Sequence, residues 1–415
     1  MLDKKKYYTA LVLLAVSFVS IYYVPYLYYY FGNQMEVYFV TDQETIASFV
    51  AIYGLVAFFL YIPAGIVADI FGAKKLLVFS LASTAVLSAL YAMTDSVQVV
   101  KWITIGMAVT TILTFWSAWL KSIARAGGEE NYAKSYGYVY AMTGVFTVIF
   151  GNICVFLVGN DAQNLPRVLW FYTVIYLLTA VLVYFIFPSD HDGDKIVTKD
   201  EDKFKFANLL QVMKMPAVWY IGFAIMAWYM FQGTLAAYNK LLPFYFNTTD
   251  AQTNFVAVWR TSGVIILAGP FAVWLQSKFK PTAKTMQILA AGAVVLMAGL
   301  ILLTKMDVPA IVAIAFILLI AFVSLGCRSI YYAAMGDVKI PTLVVGTATG
   351  FISLIAYLSD TFIHTWVANI INDGDNGVYA EGFSRLFLLQ YGILAFAVVM
   401  TYMIYREAKK ANKKA

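Results

Sequence analysis

Apolar residues run through this chain in long blocks, separated by short polar or charged clusters. The blocks lie near residues 7–30, 45–69, 75–94, 100–122, 136–159, 168–187, 217–245, 254–277, 285–304, 309–333, 342–370 and 384–405. A helix crossing the hydrocarbon core of a bilayer takes about 20 such residues. The pattern therefore predicts an all-α membrane protein with twelve transmembrane helices. The first block is expected to stay in the protein. It is too long for a signal peptide, lacks a small-residue cleavage site, and continues as a tyrosine-rich stretch from Tyr22 to Tyr30.

An even number of spans puts both termini on one side, and charge decides which. With the amino terminus inside, 22 of the 29 lysines and arginines fall on the inner segments. These include Lys4 to Lys6, Lys74 and Lys75, and the terminal group from Arg406 to Lys414. Positive residues collect on the cytoplasmic side, so both termini are expected there, in a plasma membrane or a bacterial inner membrane.

Composition narrows the function. The chain of 415 residues is 62% hydrophobic and only 13% charged, where soluble domains carry about 25% charge. Its mean hydropathy is +0.75. These values exclude a soluble enzyme, a nucleic-acid binder and a disordered scaffold. Cys154 and Cys327 both sit in apolar runs, and His191 and His364 are the only histidines. Neither a metal site nor a cofactor is expected. No nucleophile–base pair or phosphate loop is present to suggest an enzyme. The formal charge of +6 needs no nucleic-acid partner, because the basic residues cluster at helix ends.

The longest internal polar stretch, Ser189 to about Met215, falls between spans six and seven. It divides the chain into an N-terminal six-helix bundle (1–188), a cytoplasmic linker (189–215) and a C-terminal six-helix bundle (216–415). The halves also repeat. Phe49-Val-Ala-Ile-Tyr-Gly54 matches Phe255-Val-Ala-Val-Trp-Arg260 at an offset of 206 residues. Phe115, Ser117, Lys121, Ser122 and Ile123 recur as Phe322, Ser324, Arg328, Ser329 and Ile330, offset 207. Thr143-Gly144 matches Thr349-Gly350, again offset 206. Near-constant spacing points to duplication, and duplicated membrane bundles are a device of secondary transporters.

Between spans two and three stands Gly65-Ile-Val-Ala-Asp69-Ile-Phe-Gly72-Ala-Lys74-Lys75. This glycine–aspartate–glycine–basic spacing resembles the loop motif of the major facilitator superfamily. Ile70 replaces the basic residue that usually follows the aspartate. The resemblance implies two pseudo-symmetric six-helix bundles, and a gating role for Gly65, Asp69, Gly72, Lys74 and Lys75. Trp116-Ser-Ala-Trp-Leu-Lys121 and Val218-Trp-Tyr-Ile221 are distantly similar to the organophosphate antiporter branch. That branch holds phosphate with arginines in spans one and seven. Tyr26 and Phe231 stand at those positions here, so phosphate exchange is not implied.

Charges inside spans cost roughly 2.5–3.5 kcal/mol each on insertion scales, which makes them functional candidates. Arg260, Lys121 and Arg328 are three such cations, against one acid, Asp360. That imbalance suggests a substrate carrying the missing negative charge. A carboxylate or related oxyanion suits the arginine fork and the lysine point charge. Lys121 and Arg328 also lie near enough to inner helix ends to snorkel or to meet loop acids. Asp360 and His364 stand one turn apart on a shared helix face. They form a candidate proton relay, or Asp360 pairs with Arg260 or meets water. Tyr22, Tyr26, Trp116, Tyr229 and Gln232 supply apolar walls and orienting polar groups for a cavity.

The sequence thus predicts a monomeric secondary active transporter of a small organic anion, working by alternating access as a symporter or exchanger. The coupling ion would be a proton or sodium. The alternatives are a transporter of a neutral or zwitterionic solute such as an amino acid, and a ligand sensor that moves nothing.

Overall fold

The computed structural model describes residues 4–187, 206–341, 344–372 and 379–413. Among the described residues no strand occurs, and eighteen α-helices form. The first seven are α1 (Lys4–Tyr23), α2 (Tyr28–Phe39), α3 (Gln43–Phe71), α4 (Ala73–Ala92), α5 (Val97–Ala108), α6 (Ser117–Val158) and α7 (Leu165–Ile186). A short α8 (Phe206–Met213) precedes α9 (Pro216–Thr234), α10 (Tyr238–Phe246), α11 (Asp250–Val258), α12 (Ile265–Lys278) and α13 (Thr282–Leu303). The last five are α14 (Ala310–Ile330), α15 (Ala334–Asp337), α16 (Val345–Tyr357), α17 (Ile363–Asn372) and α18 (Tyr379–Lys413). Among the described residues ten helical segments are long and apolar enough to cross a membrane, and Met142–Val158 is a shorter apolar helix. Pro216–Phe246, interrupted by a 3₁₀ turn, accounts for the remaining run. The protein is a multi-pass membrane protein.

Several boundaries differ from those read off hydropathy. The first span breaks after Tyr23 and resumes from Tyr28 to Phe39. Pro25 in the gap brings no amide hydrogen to the ladder. The connection between spans four and five is itself helical, because α6 continues unbroken from Ser117 to Val158. In the expected linker, residues 189–205 lie outside the described residues, and Phe206–Met213 is helical.

Two compact units emerge, residues 1–197 with 249–258, and residues 198–248 with 259–415. In the first, α4 packs along α7. Ser88 Oγ donates to the Leu169 carbonyl at 2.9 Å, and Lys74 Nζ donates to the Phe187 carbonyl at 2.6 Å. The second bond places a cation at the C-terminal end of α7, where carbonyls lack helical partners. Paired hydroxyls join α4 to the π-helical segment Val109–Trp116. Ser80 meets Thr114 at 2.7 Å, and Thr84 donates to Thr110 at 2.8 Å. Without water, such side chains must find partners inside the protein.

In the second unit α9 packs on α16 and α18, while α14 packs on α12 and α13. Asp337, at the end of α15, accepts the Thr282 backbone N–H at 2.7 Å. It thereby satisfies a first-turn donor of α13, a group with no partner inside its helix. Asp337→Ala is expected to lower stability by about 1 kcal/mol, the typical worth of a helix cap. Thermal unfolding in detergent reads that change.

Among the described residues, departures from regular α-helix interrupt several spans. They include the π segments Val109–Trp116 and Trp259–Gly263 and the 3₁₀ turns Leu235–Ala237, Tyr331–Ala333 and Leu358–Thr361. Each changes the backbone ladder and so the direction in which nearby side chains leave the helix. The candidate functional residues gather at these places.

Candidate functional site

In the second unit the 3₁₀ turn between α16 and α17 carries Asp360, which is 3% exposed. His364 follows on α17 and is 1% exposed, with Nε2 3.3 Å from Asp360 Oδ1. The shared face read from the sequence is realised as a direct contact. Asp360 has a further partner that hydropathy does not disclose. Tyr229 on α9 donates its hydroxyl to Asp360 Oδ2 at 3.1 Å. The Tyr229 ring stands edge-on to Tyr357, with centroids 4.9 Å apart.

The other side of Tyr229 faces a cation. The Arg328 guanidinium carbon lies 5.9 Å from its ring centroid, within range of a cation–π attraction. Arg328 Nη1 also donates to Gln232 Oε1, at a long 3.4 Å. Tyr229 and Gln232 are three residues apart on α9, so they share a face. Arg328 itself is exposed, Tyr229 and Gln232 are half-buried, and the Asp360–His364 pair is enclosed. One phenol therefore separates an accessible cation from a buried acid.

Gly233 makes room for this arrangement. A Cβ at that position would lie 3.0 Å from His364 Cε1. Below it runs a polar thread between α18 and the break in span seven. Tyr238 donates to Gln390 Oε1 at 3.1 Å, and Gln390 Nε2 donates to Thr234 Oγ1 at 2.8 Å.

Arg260 sits in the π segment Trp259–Gly263, buried to 3% exposure, and its Nη2 donates to Asn239 Oδ1 at 3.1 Å. Asn239 belongs to the first turn of α10, just past the 3₁₀ break in span seven. Arg260 thus reaches into the interrupted part of that span. Arg328 differs from it in being open to approach.

In the first unit Tyr22, Tyr26 and Trp116 are all half-buried. The Tyr22 hydroxyl donates to the Thr111 carbonyl at 3.2 Å, and its ring stands edge-on to Phe115. Tyr53 meets Thr111 Oγ1 at 2.6 Å and presents its ring edge-on to Tyr26. Phe18 lies against both Trp116 and Trp119. These contacts place the three named aromatics on a π-rich surface that also offers phenol oxygens.

The Lys121, Gly65 and Asp69 side chains lie outside the described residues. Of the remaining motif residues, Gly72 has φ +80°, a backbone angle that favours glycine, and it joins α3 to α4. Lys74 binds the Phe187 carbonyl and lies 5.6 Å from the Tyr184 ring centroid, while Lys75 is exposed. Among the described residues no group of three or more metal-ligating side chains occurs.

Sequence reasoning missed Tyr357, Gly233, Thr234 and Gln390. Gln390 was open to discovery, since it interrupts the apolar run of span twelve with a buried amide. Gly233 and Tyr357 carry no such signal, because only the fold brings them against His364 and Tyr229.

Comparison with known proteins supplies a frame for this geometry. The family profile described as Major Facilitator Superfamily matches residues 8–362. The inner membrane protein YqcE of Escherichia coli (strain K12) is 23% identical over 396 residues, covering 94% of this chain and 92% of that protein. A bacterial homologue of the human lysosomal transporter Spinster, inward-facing and occupied, superposes with a TM-score of 0.73 at 12% identity, covering 99% of both chains. A D-xylose–proton symporter superposes with a TM-score of 0.72 at 13% identity, covering 96% of this chain and 97% of that one.

Proposed function

This chain belongs to the Major Facilitator Superfamily, and we propose that it is a secondary active transporter of a small organic anion, working by alternating access. The observation that carries the anionic class is Arg328. It is an exposed guanidinium within a membrane-spanning helix, laid over Tyr229 and reaching Gln232. Keeping a cation there is unfavourable unless it serves a purpose. Its planar donors match a carboxylate or sulfonate in a two-point contact. Tyr229 and Gln232 would orient the rest of the solute, with Arg260 as a further cation in the same unit. Tyr22, Tyr26, Trp116 and Lys121 remain the candidates from the first unit. The segment from Gly65 to Lys75 is the proposed gate.

A neutral solute is the second reading. The amide of Gln232 and the hydroxyl of Tyr229 are groups that also suit sugars, and one structural neighbour is a D-xylose–proton symporter. The charge asymmetry supports both termini on the cytoplasmic side. The inner-membrane relative supports the same membrane for this chain.

The test is a thermal-shift panel on the purified protein, followed by counterflow in proteoliposomes. The panel contains carboxylates, sulfonates, phosphates, sugars and amino acids. A ligand at 100 times its dissociation constant stabilises the folded state by about 2.7 kcal/mol. Stabilisation and counterflow with carboxylates or sulfonates are expected. Response to neutral solutes alone would replace this reading with the second one, and stabilisation without counterflow would indicate a sensor.

A further inference from the structure

We propose that the second unit carries a surface site for an anionic phospholipid, formed where α13 and α18 pack side by side and end together in basic residues. The site uses none of the residues assigned to the solute. It therefore stands or falls independently of the substrate class.

Exposure along the two helices carries the argument. On α13 the exposed positions include Lys284, Ile288, Ala291, Val295, Ala298 and Leu302. Their steps alternate between four and three residues, which keeps them on one helix face. On α18 the same alternation runs through Ala395, Val399, Tyr402, Arg406, Lys409 and Lys413, all exposed. Each stripe is apolar over the membrane-spanning part of its helix and cationic at one end. On α18 the change falls between Tyr402 and Arg406, and tyrosine is characteristic of the boundary between membrane and water.

The two basic ends coincide. α13 and α18 pack on each other. Lys284 Nζ lies 5.6 Å from the ring centroid of Tyr405, the residue before Arg406. The turn from α12 into α13 adds Lys278 and Lys280, both exposed. Trp274 and Phe279, also exposed, flank them. α15 joins the same end, since Lys339 donates to the Ala411 carbonyl at 3.4 Å. The acids of α15 and of this end of α18 are already engaged. Asp337 accepts the Thr282 backbone N–H at 2.7 Å, and Glu407 pairs with Lys410 at 2.7 Å. Lys284, Arg406 and Lys409 remain exposed beside them.

A phosphodiester joined to acyl chains matches both parts of this surface. Its oxygens accept from the lysine ammonium and from the planar arginine fork. Its chains lie along the apolar stripes below. Val399 and Arg406 are seven residues apart, about 10 Å along the helix axis, so one side of one helix meets headgroup and chain together. A soluble anion would use the cations and gain nothing from Ile288, Val295 or Val399. A zwitterionic phospholipid would use the stripes but bring a cation of its own against Lys284 and Arg406. Basic clusters at the end of a transmembrane helix attract anionic lipid, with each lysine or arginine adding severalfold to the affinity. An anionic phospholipid is the occupant that satisfies charge and hydrocarbon at once.

The experiment takes the full-length protein in detergent, stripped of lipid, and offers it phosphatidylglycerol or phosphatidylcholine with matched acyl chains. Native mass spectrometry reads lipid retention, and thermal unfolding reads its effect on the fold. Phosphatidylglycerol should bind about tenfold more tightly and raise the unfolding midpoint, by an amount that shrinks in high salt. The combined Lys284→Gln, Arg406→Gln and Lys409→Gln variant should bind phosphatidylglycerol at least about tenfold more weakly, close to phosphatidylcholine. Its lipid-free midpoint should match the wild type, because the three side chains are exposed. Lys305→Gln, just beyond the opposite end of α13, should keep the preference. Equal retention of the two lipids by the wild type would overturn the proposal, as would a preference that survives in the triple variant. Full competition by glycerol 3-phosphate would overturn it too, because the site would then belong to a soluble anion. The wild-type comparison and its salt dependence decide the matter even where the triple variant fails to fold.

Discussion

Arg328→Ala is expected to reduce anion counterflow about 10- to 100-fold at low substrate concentration while leaving the thermal unfolding midpoint nearly unchanged. A hydrogen bond to a charged group contributes roughly 1.5–3 kcal/mol, and each 1.4 kcal/mol is a factor of about ten. The fold has little to lose at this position. Arg328 is exposed and its bond to Gln232 is long. Arg328→Lys should recover part of the flux, because the charge returns without the planar fork. A neutral solute would respond differently, with less than about a threefold change in Arg328→Ala, since only uncharged contacts would be at stake. Measuring labelled solute uptake beside unfolding temperature for all three proteins separates binding from folding.

The positions of the spans were legible because the bilayer imposes one requirement everywhere. The run at 75–94 becomes α4 at Ala73–Ala92, and the run at 285–304 becomes α13 at Thr282–Leu303. Hydropathy averages over about 19 residues, and averaging erases short departures from the helix. The 3₁₀ turn at Leu235–Ala237 is apolar throughout, so nothing in the pattern marks it. The turn Leu358–Thr361 and the π segment Trp259–Gly263 hold polar residues, Asp360 and Arg260 among them, but their sequences do not announce the change of backbone ladder. Yet these breaks set where Asp360, Asn239 and Arg260 point. Asp360 and His364 could be paired from spacing alone, because four residues make one helical turn. The link from Asp360 to Tyr229 spans 131 residues of sequence and has no local signature. Lys74 illustrates the same limit. Its motif suggested a gate, while its visible bond to Phe187 joins α4 to α7 within one unit.

Arg260 provides the contrast to Arg328, and Arg260→Ala is expected to lose stability and folded yield first. This guanidinium is 3% exposed and donates to Asn239 Oδ1 at 3.1 Å, beside the break in span seven. Truncation removes a large buried side chain and its hydrogen bond to the Asn239 amide oxygen. A hydrogen bond to a charged group contributes roughly 1.5–3 kcal/mol. Asn239→Leu should therefore destabilise by a comparable route, and the two substitutions should not be additive. A double-mutant cycle of Arg260→Ala and Asn239→Leu in detergent is expected to give a coupling of about 1–3 kcal/mol. Transport by the folded fraction decides the remaining question. If Arg260→Ala folds at the wild-type midpoint and still loses counterflow, Arg260 contacts the substrate and joins Arg328 in the anion site. If the midpoint falls while the surviving protein turns over, the arginine holds the interrupted helix in place, and the anion site is left to Arg328.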